Sequence, residues 1–408
     1  MCGKWKEGYD PNPPISLLRR ISSINKEGKA RFKLVSGYKG SLAILRSALG
    51  FSPDIPHTLQ QCILARAVSQ CVKRSELTPK QLVRFVARAE QDYRNRASET
   101  FVFVSTLSIK HFDRLRSRRL GGTAVLLSRS LPRRFDRAGS EQRLKDMLSI
   151  ESPTNYTWIR VRVVARSDFE AVERSMWGTD LLRGIWNFVL NYGRFAILSS
   201  RPGPINNVVP GPLHTLHYPD GSLATETIWY DENYRRGKRP ADVEQKWDRL
   251  SGAERFIRRR LVKSPVRDWL EEGFVRYARA LDESRFENAY LKLWSLLEYL
   301  TGTMRKSYDK TIRRCLFLCR DADFARQELT HLRELRNRSV HSGEAKSEFE
   351  TEVYQLNQYI CRLFSFSVHR SRRFASFDEM MTFLDLPLET KDLGRRARLL
   401  SWASELRG

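Results

Sequence analysis

The sequence predicts an α+β protein in which a mixed α/β N-terminal and middle region precedes a C-terminal all-α helical bundle. Two runs, FVFVSTLSI at 101–109 and YTWIRVRVVA at 156–165, are dense in β-branched and aromatic residues, and the second alternates around Arg160 and Arg162. From about residue 240 onward, successive segments repeat apolar residues at three- and four-residue steps. Charge and composition then suggest three regions. Residues 1–150 are basic and mostly helical with a strand near 101–109; 151–239 are α+β with a proline-rich loop; 240–408 form the bundle.

Each element has a local reason. Leu59, Cys62, Ile63, Ala67 and Cys71 recur near helical spacing over 59–72. Thr78 and Pro79 supply an N-cap and a first-turn proline for a helix over 80–93, whose apolar stripe is Leu82, Val83, Phe85, Val86 and Ala89. Ser167 and Asp168 cap a helix over 169–191. Short strands are expected at 195–198 and 227–230. Between them, Pro202, Pro204, Pro210 and Pro212 exclude a helix, so 201–221 is expected to be a long surface loop. Bundle helices are expected at 242–260, 268–281, 284–300, 310–319, 321–336 and 346–369. In the third, Phe286, Tyr290, Leu293, Leu297 and Leu300 share a face, and the short links imply antiparallel neighbours.

The 408 residues include 72 Lys+Arg and 47 Asp+Glu, a net charge of +25. The apolar runs are too short for a membrane-spanning helix, and Met1–Lys6 has no apolar stretch behind it that would make a secretory signal. Six cysteines with no framework spacing fit a reducing, cytoplasmic setting. A basic excess of this size serves a polyanion, nucleic acid first. Residues 1–150 carry 29 basic and 12 acidic side chains, against 30 and 23 in 251–408. The excess is densest in RLRSRRLGGTAVLLSRSLPRRFDR at 114–137. Its candidate nucleic-acid contacts are Arg114, Arg116, Arg118, Arg119, Arg133, Arg134 and Arg137. Such a run is ordinarily a solvated face or a mobile loop; its place in the most basic third favours phosphate contact.

The chemistry concentrates in LRELRNRSVHSG at 332–343. If the helix extends that far, Asn337 and His341 are four apart and share a face, with Arg336 beside it. An imidazole moves protons near neutral pH, and a guanidinium holds a phosphodiester and stabilises the charge that develops on it. Asn337 can orient the backbone or the histidine. These parts suit RNA cleavage, because the 2′-hydroxyl is a built-in nucleophile and no metal or other cofactor is needed.

At these residues, together with the upstream helix 286–300 and its LWSLLE run at 293–298, the chain resembles the HEPN superfamily and specifically the Apea-like HEPN proteins. The resemblance covers about residues 265–370. It implies a helical bundle that forms a homodimer, bringing two motifs together in a composite, metal-independent ribonuclease site. It also implies catalytic roles for Arg336 and His341 and a supporting one for Asn337. Glu298 matches a polar helix position near the motif, where it either pairs with Arg336 or is a plain helix-face carboxylate. The expected partner is RNA, and the implied biology is a bacterial toxin or antiphage-defence effector. The alternative function is a non-catalytic nucleic-acid-binding or dimerisation adaptor built on the same bundle.

Other constellations have simpler readings. An arginine and a histidine near a helix end also complement its dipole. Cys315, Cys319 and His331 lack zinc-knuckle spacing, and the cysteines read as core. His214 and His217 have no accompanying carboxylate pattern. Arg94-Asn95-Arg96 echoes the later motif but has Glu99 where the histidine would stand, and Gly121-Gly122 is a turn.

Overall fold

The computed structural model describes residues 4–52, 54–192, 205–234, 237–304, 307–342 and 349–408, with the backbone alone for 340–342. It is α+β, with an antiparallel sheet and a helical C-terminal region. The chain divides into two compact units. One comprises 1–103, 162–175 and 216–225; the other comprises 104–161, 176–215 and 226–408. Each unit is assembled from three separate stretches of the chain.

The first unit is helical. It contains β1 (Lys4–Trp5), α1 (Asn12–Ile21), β2 (Ser22–Ile24), β3 (Ala30–Phe32), α2 (Val35–Ala48), β4 (Leu49–Gly50), α3 (His57–Lys73) and α4 (Pro79–Arg94). β1 pairs with β4, and β2 with β3, both antiparallel. Leu18, Leu45, Leu64, Val68 and Leu82 are fully buried in its core. The predicted start of α4 is present: the Thr78 hydroxyl accepts from the Gln81 N–H at 3.2 Å, and Pro79 opens the helix.

The strands follow as β5 (Glu99–Leu107), β6 (Arg118–Leu120) and β7 (Thr123–Ser128), then α5 (Ala138–Leu148), β8 (Thr157–Ala165), α6 (Asp168–Asn191), β9 (Leu213–His217) and β10 (Trp229–Tyr230). They form one six-stranded sheet in the order β10-β9-β5-β8-β7-β6. The expected strand at 195–198 lies outside the described residues.

Within the sheet, two segments differ from the sequence expectation. The basic run holds the β6–β7 hairpin, turned by Gly121 and Gly122, both with positive φ. The proline-rich segment holds β9, every residue of which is buried. A strand covered on both faces has no polar alternation, and its flanking prolines masked it.

The bundle consists of α7 (Trp247–Val262), α8 (Arg267–Leu281), α9 (Phe286–Leu300), α10 (Tyr308–Leu316), α11 (Ala322–Ser342) and α12 (Glu350–Arg370), followed by α13 (Phe377–Leu384) and α14 (Thr390–Arg407). Phe274 and Phe364 stack at 4.3 Å between α8 and α12, and Phe188 of α6 meets both rings. Gly184 lets α6 approach α8: a Cβ there would lie 2.1 Å from the Phe274 carbonyl oxygen. Beside it, the buried Arg183 guanidinium donates to Asp180 at 2.6 Å and to both Asp282 oxygens at 2.8 Å. This fixes α6 to the C-terminal end of α8. Among the described residues, no helix is long and apolar enough to cross a membrane.

Candidate active site

The site is built from α9, α10 and α11. On α9, Tyr290, Trp294 and Glu298 follow one another at four-residue steps and therefore lie on one stripe of the helix. Tyr290 is fully buried, and its hydroxyl donates to the Leu332 carbonyl of α11. The Trp294 indole N–H donates to Glu298 Oε1 at 2.9 Å. One turn after Leu332, Arg336 places its guanidinium 5.2 Å from the centre of the Tyr308 ring and donates to Asn337 Oδ1 at 3.3 Å. Tyr308 is oriented by the start of α10, where the Ser307 hydroxyl caps the helix.

Electrostatics ties these groups together. Burial pushes the Glu298 carboxyl above the ordinary glutamate value, while the Trp294 hydrogen bond and the Arg336 charge pull the other way. Burial and then the Glu352 charge raise the Tyr290 hydroxyl, and Arg336 lowers it. Arg336 thus acts on both α9 groups without an ion pair to Glu298 within 4 Å. Arg333, one turn earlier, is paired at 2.8 Å with Asp309 of α10.

α11 continues through Ser342, beyond the predicted end at 336. Positions 337 and 341 are therefore one helical turn apart, and Arg336 adjoins the first of them. The His341 side chain lies outside the described residues. Sequence reasoning missed Tyr308 and Glu352. Glu352 Oε2 is buried in the first turn of α12 without a hydrogen-bond partner among the described residues. No motif marks either residue, since they meet the site from neighbouring helices.

The seven arginines named for nucleic-acid contact do not form one surface. Arg137 is 5% exposed and donates to the Leu213 carbonyl at 3.0 Å. Arg118 forks onto Glu254 at 2.8 and 2.9 Å and lies over the Trp247 ring. Arg114 pairs with Asp248 at 2.9 Å. Arg116, Arg119, Arg133 and Arg134 are exposed.

His214 is buried, with Nδ1 2.7 Å from Ser105 Oγ. Burial, assisted by Arg137 and Arg183, pushes its imidazole down to about 3, so it stays neutral at pH 7. Cys315 is buried, and the Arg362 guanidinium donates to Cys319 Sγ at 3.1 Å.

Compared with known proteins, the chain matches no family model, no curated protein and no solved structure.

Proposed function

We propose that this chain is an endoribonuclease that needs no metal and acts through Arg336, Asn337 and His341. The observation that supports this best is the unbroken course of α11 through residue 342. It keeps positions 337 and 341 one turn apart, beside an Arg336 seated on Tyr308 and facing the half-buried Glu298.

In this reading Arg336 holds the phosphodiester and offsets the charge that gathers on its oxygens. The 2′-oxygen attacks phosphorus, and the bond to the 5′-oxygen breaks. The products are a 2′,3′-cyclic phosphate and a 5′-hydroxyl end. The His341 imidazole accepts the 2′ proton, and a second donor protonates the departing 5′-oxygen. A homodimer formed through the bundle supplies that donor from the second copy. Asn337 holds Arg336 in place through its side-chain oxygen.

The test incubates total RNA with wild type, Arg336→Ala and His341→Ala in EDTA. Cleavage by wild type alone is expected. Equal cleavage by all three proteins would exclude this site as the source of the activity.

A further inference from the structure

A cavity of about 790 Å³ opens between the β6–β7 hairpin and the C-terminal half of α7. It shares no residue with the Arg336 site. Eight Arg and Lys side chains line it, against the single carboxylate of Glu271, which Arg267 already neutralises at 2.8 Å. Arg258 is held by Glu254 at 3.2 Å and donates to the Arg119 carbonyl at 2.7 Å. The other six, Arg119, Arg255, Arg259, Arg260, Lys263 and Arg372, form no ion pair among the described residues. Of the arginines in the run at 114–137, only Arg119 lines the cavity.

Two cations in the last turn of α7 would complement the helix dipole, but six unneutralised cations around a concavity repel one another until an anion enters. The cavity is also far larger than one phosphate and falls within the range of pockets that enclose whole organic ligands. Its remaining wall is apolar, formed by Leu120, Phe256, Leu261 and Val262. Leu120 and Leu261 are already buried, but a bare polyphosphate would leave the exposed Val262 and the half-buried Phe256 in water, whereas a base or sugar would cover them.

We infer that this cavity binds a nucleoside polyphosphate, with the phosphates on the arginine rim and the base against the apolar wall. The same chemistry is offered by a free nucleotide and by the 5′-triphosphate end of an RNA. The site is separate from the one proposed to cut, and its occupancy does not depend on cleavage.

The experiment uses the full chain carrying His341→Ala, so that no probe is consumed. Binding of ATP, a 5′-triphosphorylated RNA, the same RNA with a 5′-hydroxyl, and inorganic tripolyphosphate is measured at about 0.15 M salt. Arg255→Glu with Arg259→Glu is expected to weaken ATP or triphosphorylated RNA by at least about tenfold. Arg395→Glu with Arg396→Glu on the exposed α14 makes the same charge change and is expected to leave binding within about twofold. Val262→Glu, at a 65% exposed position on the wall, is expected to weaken binding without unfolding the chain. Saturable ATP binding identifies the free nucleotide, and binding of the triphosphorylated RNA alone identifies the strand end. Equal loss in both charge-reversal pairs, tripolyphosphate binding as tight as ATP, or no saturable binding would overturn the inference.

Discussion

Arg336 gains its position from Tyr308, whose ring it covers, and from Asn337, whose side-chain oxygen accepts its N–H. A lysine there keeps the charge but loses the planar fork and the stacking. Arg336→Lys is therefore expected to lower kcat at least about tenfold, measured on a defined RNA, with the thermal midpoint little changed. Retention of full activity would show that charge alone suffices.

A second residue-scale prediction concerns Asp231. Burial first, and then the Asp282 charge, push its carboxyl up to about 6. Because the folded value exceeds the unfolded one, its unfavourable contribution is absent below the unfolded value near 4, grows as pH rises, and is complete above about 6. Asp231→Asn is expected to stabilise the fold by about 1–2 kcal/mol at pH 7 and by nearly nothing at pH 4, by urea unfolding. An equal change at both values would sink this account. The sequence made Arg336 legible because the guanidinium and the imidazole stand at a fixed spacing. Tyr308, Glu352 and Asp231 were not legible, because their roles come from neighbours distant in the chain.

Among the elements, strong local signals matched. The Thr78-Pro79 start of α4, the α6 cap, where the Ser167 hydroxyl accepts from the Glu170 N–H at 3.2 Å, and the α9 stripe all lie where the periodicity put them. The β6–β7 hairpin was hidden because β6 is only three residues long and two of them are arginines, which read as solvated chain, although the glycine pair correctly marked its turn. α11 runs past its expected end at 336 because nothing between Asn337 and Ser342 stops a helix, although the apolar repeat lapses there.

The close approach of α6 and α8 makes Gly184→Ala a sharp test. A methyl group 2.1 Å from the Phe274 carbonyl forces the helices apart and is expected to cost about 2–4 kcal/mol in urea unfolding. α14 gives the opposite expectation. It buries none of its residues, so removing 390–408 is expected to shift the thermal midpoint by no more than about 2 °C. A larger loss would show that this helix packs in solution.

For the whole molecule, with its net charge of +25, the arginines described above and the cations of the α7 cavity fall into three groups. Arg118, Arg137 and Arg183 hold the fold from inside, as their carboxylate and carbonyl partners show. Arg116, Arg133 and Arg134 remain exposed, and the six unneutralised cations gather at the α7 cavity. The proposed cutting residues belong to none of these groups. RNA affinity should therefore fall steeply with salt while His341→Ala leaves that slope unchanged.

Arg336 and His341 are proposed to cleave RNA through its own 2′-hydroxyl. The most direct measurement is the chemistry of the ends left on a defined RNA cut in EDTA by wild type, Arg336→Ala and His341→Ala. Wild type is expected to leave 2′,3′-cyclic phosphate and 5′-hydroxyl ends, and each variant to cut at least about hundredfold more slowly. Cleavage that leaves 5′-phosphate ends, or that proceeds equally in all three proteins, would contradict the proposal.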